Sequence, residues 1–92
     1  MIFDVHCHLG VEQIFGGETT EEDVLQMLME NGIDGAIIQP GLTYVSMTAQ
    51  IEAHNRIIRF IKTHPDRSLF GMASLNPHVE PEIYFREVSR CV

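Results

Sequence analysis

Tryptophan is absent, and basic residues number six against thirteen acidic ones, for a formal net charge of −7 over 92 residues. That balance argues against a protein whose affinity rests on a basic surface, so neither nucleic acid nor an anionic membrane is an expected partner. No apolar run approaches the ~20 residues that span a bilayer, and the N-terminus lacks the basic-then-apolar layout of a secretory leader. The expected compartment is the cytoplasm. Cysteine is scarce too. Cys7 and Cys91 stand far apart in the chain and make no disulfide framework. Both are expected to be reduced, Cys7 as a small buried apolar residue, with a ligand role open to it only if its segment is not a regular strand. Gly16-Gly17 is too sparse for a phosphate loop, and neither G-x-G-x-x-G nor a Walker pattern occurs, which disfavours a nucleotide-binding half-domain.

What the chain does have is a pair of histidines one residue apart, His6 and His8, ending its first apolar run, Ile2-Phe3-Asp4-Val5-His6-Cys7-His8-Leu9-Gly10. Side chains of a β-strand alternate faces. Regular alternation places Asp4, His6 and His8 on one face and Val5, Cys7 and Leu9 on the other. Two imidazoles converging on one small volume, with a carboxylate behind them, suit a divalent metal such as zinc. The same pair could be a polar patch on an edge strand. Its position, where a strand gives way to a glycine-containing loop, is where ligands bind in α/β folds.

The rest of the chain reads as strand–helix units. The first strand covers about Ile2–His8. A first helix begins at Thr19 or Thr20, where Thr19-Thr20-Glu21-Glu22 offers a capping box and the acidic residues through Asp23 favour a helix start. Val24, Leu25, Leu28 and Met29 form its apolar stripe, and Asn31-Gly32 ends it. A second strand, Gly35–Gln39, is continuously apolar, as a parallel strand covered on both faces would be. After a loop over 42–48, a second helix is expected over Gln50–Lys62 with Ile51, Ile57, Ile58 and Ile61 inward. A third strand spans Leu69–Leu75. Pro81 opens a third helix, with Ile83, Tyr84, Val88 and Cys91 on its apolar side. Phe3, Ala36 and Phe70 mark the strands at intervals of 33 and 34 residues. Such βα repeats build an open doubly wound sheet or an eightfold barrel.

Taken together, Phe3–Gly10, the run Asn31-Gly32-Ile33-Asp34-Gly35 into Ala36-Ile37-Ile38, and His64-Pro65-Asp66-Arg67 into Phe70–Pro77 resemble the amidohydrolase-related family. That branch of the metal-dependent hydrolases includes zinc-dependent decarboxylases of the aminocarboxymuconate type. The resemblance covers essentially all 92 residues. It implies an α/β fold of three consecutive βα units from a TIM-type (β/α)₈ barrel, a parallel sheet in an incomplete barrel, with residues 1–92 as the N-terminal βα portion. It implies an enzyme, a hydrolase or carbon–carbon lyase acting on a small carbonyl or carboxylate substrate. His6 and His8 become the metal ligands, zinc foremost as the divalent cation, and Asp4 takes a supporting or strand-packing place. The family's remaining ligands come from later strands: a histidine on each of two, and an aspartate on the last. Three strands leave sheet edges and one face open, so the chain is expected to self-associate or to require the missing C-terminal part of the barrel.

Two other functions compete. One is a non-catalytic structural βα fragment; the other is a metal-dependent phosphoesterase or deoxyribonuclease, whose barrels also open on D-x-H-x-H. Among the other histidines, His54 reads as a solvated or partly buried helix residue and His64 as a helix-end residue meeting the last carbonyls. His78 reads as a loop residue that could share the rim with His6 and His8. Gln39 and Asn76 are expected to satisfy backbone groups where strands end, with substrate contact as the alternative. Met27, Met29, Met47 and Met72 read as gap-fillers.

Overall fold

The structure, a computed structural model, describes residues 1–12, 16–41 and 46–92. Seven elements follow in chain order: β1 (Phe3–Val11), β2 (Glu18–Thr19), α1 (Glu21–Glu30), β3 (Gly35–Pro40), α2 (Met47–Thr63), β4 (Ser68–Gly71) and α3 (Pro81–Cys91). They form an α/β fold with one open four-stranded sheet in the order β2-β1-β3-β4. β1, β3 and β4 run parallel, and the short β2 folds back antiparallel on the end of β1. The β2 pairing is the one element with no counterpart in the sequence reading. The loop expected over 42–48 falls partly on 42–45, outside the described residues; Ser46 caps α2 and Met47 and Thr48 already belong to it.

Local chemistry accounts for the helix ends. Thr20 caps α1, its hydroxyl accepting from the Asp23 N–H while the Asp23 carboxylate accepts from the Thr20 N–H. The box thus uses Thr20 and Asp23, one residue beyond the Thr19–Glu22 alternative. Gly32 leaves α1 at φ 63°, the left-handed turn that glycine takes without strain. α3 starts on Pro81, whose missing N–H costs nothing in a first turn.

One sheet face is dry. Cys7, Leu9, Ala36, Ile38 and Leu69 pack there against Val24 and Leu28 of α1 and Ile57 and Phe60 of α2. Among the described residues no helix covers the other face, and Val5 is 67 % and Phe70 59 % exposed on it. Phe3 and Phe70 meet across this face with ring centroids 6.0 Å apart. They pass over Gly35, where an added Cβ would lie 2.8 Å from the Phe3 ring.

Three apolar stripes differ from expectation. Met29 of α1 and Met72 after β4 are exposed rather than gap-filling. The buried line of α2 is Gln50, His54, Ile57 and Phe60, rotated from the expected isoleucines. In α3 the buried residue is Glu87, while Ile83 is exposed. Both rotations have one cause: the polar residues they bury have partners inside.

β4 also ends early, at Gly71 rather than Leu75. The Met72 N–H still reaches the Ile38 carbonyl. Beyond it the backbone turns from the sheet to α2: the Ser74 N–H donates to His54 Nε2 at 3.1 Å, and the Asn76 N–H to Gln50 Oε1 at 2.9 Å. Buried backbone groups must be satisfied, and helix side chains do here what a strand neighbour does elsewhere.

Candidate metal centre

β1 is not a regular strand. Asp4 pairs with Ala36, but Cys7 pairs with Ile38, so three steps on β1 oppose two on β3. This is a β-bulge with Val5 and His6 sharing one place. Paired residues of a parallel ladder share a face, which puts Asp4 with Cys7 and Leu9 on the helix-covered side. The expected arrangement of Asp4, His6 and His8 on one face, with Val5, Cys7 and Leu9 on the other, is therefore corrected. The histidines share the open face, Val5 joins them there, and Asp4 stands on the other side. The Asp4 carboxylate instead accepts the His6 backbone N–H at 2.9 Å. Burial and then the nearby Asp4 charge push the Cys7 thiol above its ordinary range, so it stays protonated and apolar in behaviour.

His6 and His8 converge. Their Nε2 atoms lie 3.0 Å apart, with the rings edge to face. His8 Nδ1 sits 3.3 Å from the Pro40 carbonyl, an acceptor only, so in the neutral ring that makes this bond Nδ1 carries the hydrogen and Nε2 is bare. In that tautomer Nε2 can accept from His6 Nε2–H or take a cation. Two nitrogens bound to one cation at about 2.05 Å stand about 2.9 Å apart at a right angle and about 3.3 Å apart at the tetrahedral angle. The observed separation falls in that span, so the pair fits a divalent ion once the exposed His6 ring moves its hydrogen to Nδ1. Gln39 lies beside His8 in the β1–β3 register.

A second group of donors lies elsewhere. His54, Glu87 and Cys91 offer ligand atoms within 4.8 Å of one another, and such a set could hold a metal ion. His54 and Cys91 line a cleft of about 430 Å³ beside Ile57, Ile61 and Met72. Here Glu87 is the hub. Its Oε1 accepts from His54 Nδ1–H at 2.8 Å and from the Cys91 thiol at 3.5 Å. Arg90 grips both its oxygens, Nε to Oε2 at 2.8 Å and Nη2 to Oε1 at 2.7 Å. That ion pair, with His54 assisting against the cost of burial, lowers the Glu87 carboxyl to about 2. A cation entering here would meet a guanidinium already seated on the carboxylate. The cluster therefore serves first to fasten α3 to α2. Burial, reinforced by Glu87, holds the Cys91 thiol above its usual range.

His54 is thus fully buried rather than solvated. The signal for it lay in its place on the α2 apolar side, and Glu87 stands in the same way between Tyr84 and Cys91. His64 behaves as expected at a helix end, its Nδ1 2.9 Å from the Phe60 carbonyl. Asn76 also satisfies the backbone, its Oδ1 accepting the His78 N–H, while His78 lies in an exposed turn. The acidic stretch at the start of α1 works as a clamp: Arg56 bridges Glu18 at 2.7 Å and grips Glu21 through Nε and Nη2. The guanidinium lowers the Glu21 carboxyl in turn. Among the described residues no third histidine, cysteine or acidic donor joins His6 and His8, and no helix is long and apolar enough to cross a membrane. Compared with known proteins, the chain matches no family model, no curated sequence and no solved structure.

Proposed function

We propose that His6 and His8 bind one divalent cation, zinc foremost, and that the chain is the metal-holding portion of a hydrolase or decarboxylase like those of the amidohydrolase-related family. The observation that carries this reading is the 3.0 Å approach of two Nε2 atoms on the open face of a parallel sheet. Such a cation would polarise a small carbonyl or carboxylate substrate and acidify water beside it. The protein's own part is to orient the ligands. The Pro40 carbonyl fixes the His8 tautomer so that Nε2 faces outward, the carbonyl-to-histidine support common around metal sites. The His6 ring is exposed, and its Nε2 already stands 3.0 Å from that of His8. Two protein ligands are one short of the three usual in catalytic zinc sites. The reading therefore requires a further ligand from the barrel portion the resemblance implies, or from substrate.

The test is a calorimetric zinc titration of the wild type and of His6→Ala/His8→Ala, each also in a Cys91→Ala background to silence the second donor group. One zinc per chain that disappears with the two histidines is the expected result. Equal binding in both removes the metal role.

A further inference from the structure

We propose that Asp4 is a positioning residue for the histidine pair, its carboxylate stapling the β1 bulge that turns His6 and His8 onto the open face. This deepens the metal reading of the pair and rests on it. Ala36, Ile38 and Pro40 are buried on the helix-covered side of β3. Were β1 to continue without a bulge from the Asp4–Ala36 pairing, His6 would oppose Ile38 and His8 would oppose Pro40. Both rings would then lie under the helices, and Cys7 and Leu9 would face outward. A slip of one residue inverts every side chain of a strand. The extra residue at Val5–His6 is what reverses this, burying Cys7 to 5 % and Leu9 to 2 % exposure and presenting both imidazoles together.

A bulge leaves a ladder N–H without its partner. Here the N–H is that of His6 itself, and the Asp4 carboxylate accepts it at 2.9 Å. An ionised acceptor makes this stronger than an ordinary backbone bond. The staple acts on one ligand and the Pro40 carbonyl on the other, so each histidine is held from a different strand.

Four variants test it: Asp4→Ala, Asp4→Asn, deletion of Val5, and that deletion combined with Asp4→Ala. Two readouts are taken, zinc affinity by competition with a chromophoric chelator and hydrogen exchange of the His6 amide in the metal-free chain, with melting temperature alongside. Asp4→Ala is expected to weaken zinc about 10- to 100-fold, the range for lost ligand support, and to release the His6 amide. Asp4→Asn keeps a side-chain carbonyl for that N–H and is expected to restore most of both. Deleting Val5 removes the extra residue while leaving His6 opposite Ile37 and His8 opposite Gln39. In that background Asp4→Ala is expected to leave zinc affinity unchanged, which also covers an Asp4→Ala chain too unstable to assay. Asp4→Ala that binds zinc like the wild type with its His6 amide still protected overturns the proposal. So does an equal loss of zinc on adding Asp4→Ala to the deletion. A wild type that binds no zinc, but whose His6 amide is released by Asp4→Ala, discards the metal reading and retains the staple.

Discussion

Replacing Glu87 by glutamine keeps the shape of the side chain and removes its charge. The carboxyl falls from an ordinary 4.5 to about 2 in the folded chain, first through Arg90 and then through His54. At about 1.4 kcal/mol per unit, that shift corresponds to about 3 kcal/mol of stability at neutral pH. The Arg90 side chain is 41 % exposed, and water screening brings the expected figure to about 2 kcal/mol. A domain of this size has about 5–10 kcal/mol in all. The sign follows from the direction of the shift. The contribution is complete above the ordinary carboxyl value and is lost as pH falls from about 4.5 toward about 2. Glu87→Gln is therefore expected to be less stable at neutral pH and to lose less on acidification, the two curves converging near pH 2. Urea unfolding followed by far-ultraviolet circular dichroism reads this directly, since the chain has no tryptophan for fluorescence. Two curves that stay parallel through the acid window would refute the assignment of Glu87 as the charged hub.

Gly35→Ala would bring a Cβ to 2.7 Å from Ser68 Cβ and 2.8 Å from the Phe3 ring, and is expected to cost at least about 2 kcal/mol; an unchanged thermal midpoint would contradict the close strand approach. Ile38→Ala empties a fully buried position on the helix-covered face of β3 and is expected to cost about 2–5 kcal/mol by urea denaturation. Thr20→Ala removes the α1 cap, with an expected loss of about 1 kcal/mol, while Thr20→Ser should retain most of it. Arg56→Met breaks a half-exposed clamp on Glu18 and Glu21; its cost is expected to be about 1 kcal/mol and to shrink with added salt.

The order of the helices and parallel strands was legible, β2 apart, because each of them carries its own signal: the apolar run at β3, the threonine cap of α1, Pro81 at the start of α3. The convergence of His6 and His8 was legible as well, since residues two apart meet on one face. The bulge was not. Asp4-Val5-His6-Cys7-His8-Leu9 alternates self-consistently, and only pairing with β3 shows that one residue is extra. Legibility failed likewise for His54 and Glu87. A polar residue within an apolar stripe looks like a gap in the stripe until its partner, 33 positions away in the chain, is brought beside it. The short β4 has the same origin, because its continuation bonds to helix side chains and no periodicity encodes that.

Gln50 and His54 tie one flank of α2 to the main chain of residues 74–76. Sliding the helix by a turn, or rolling it by one position, would break both links at once. Through Glu87 the register of the same helix is tied to α3 as well, so one helix sets the seat of both the connecting stretch and its neighbour.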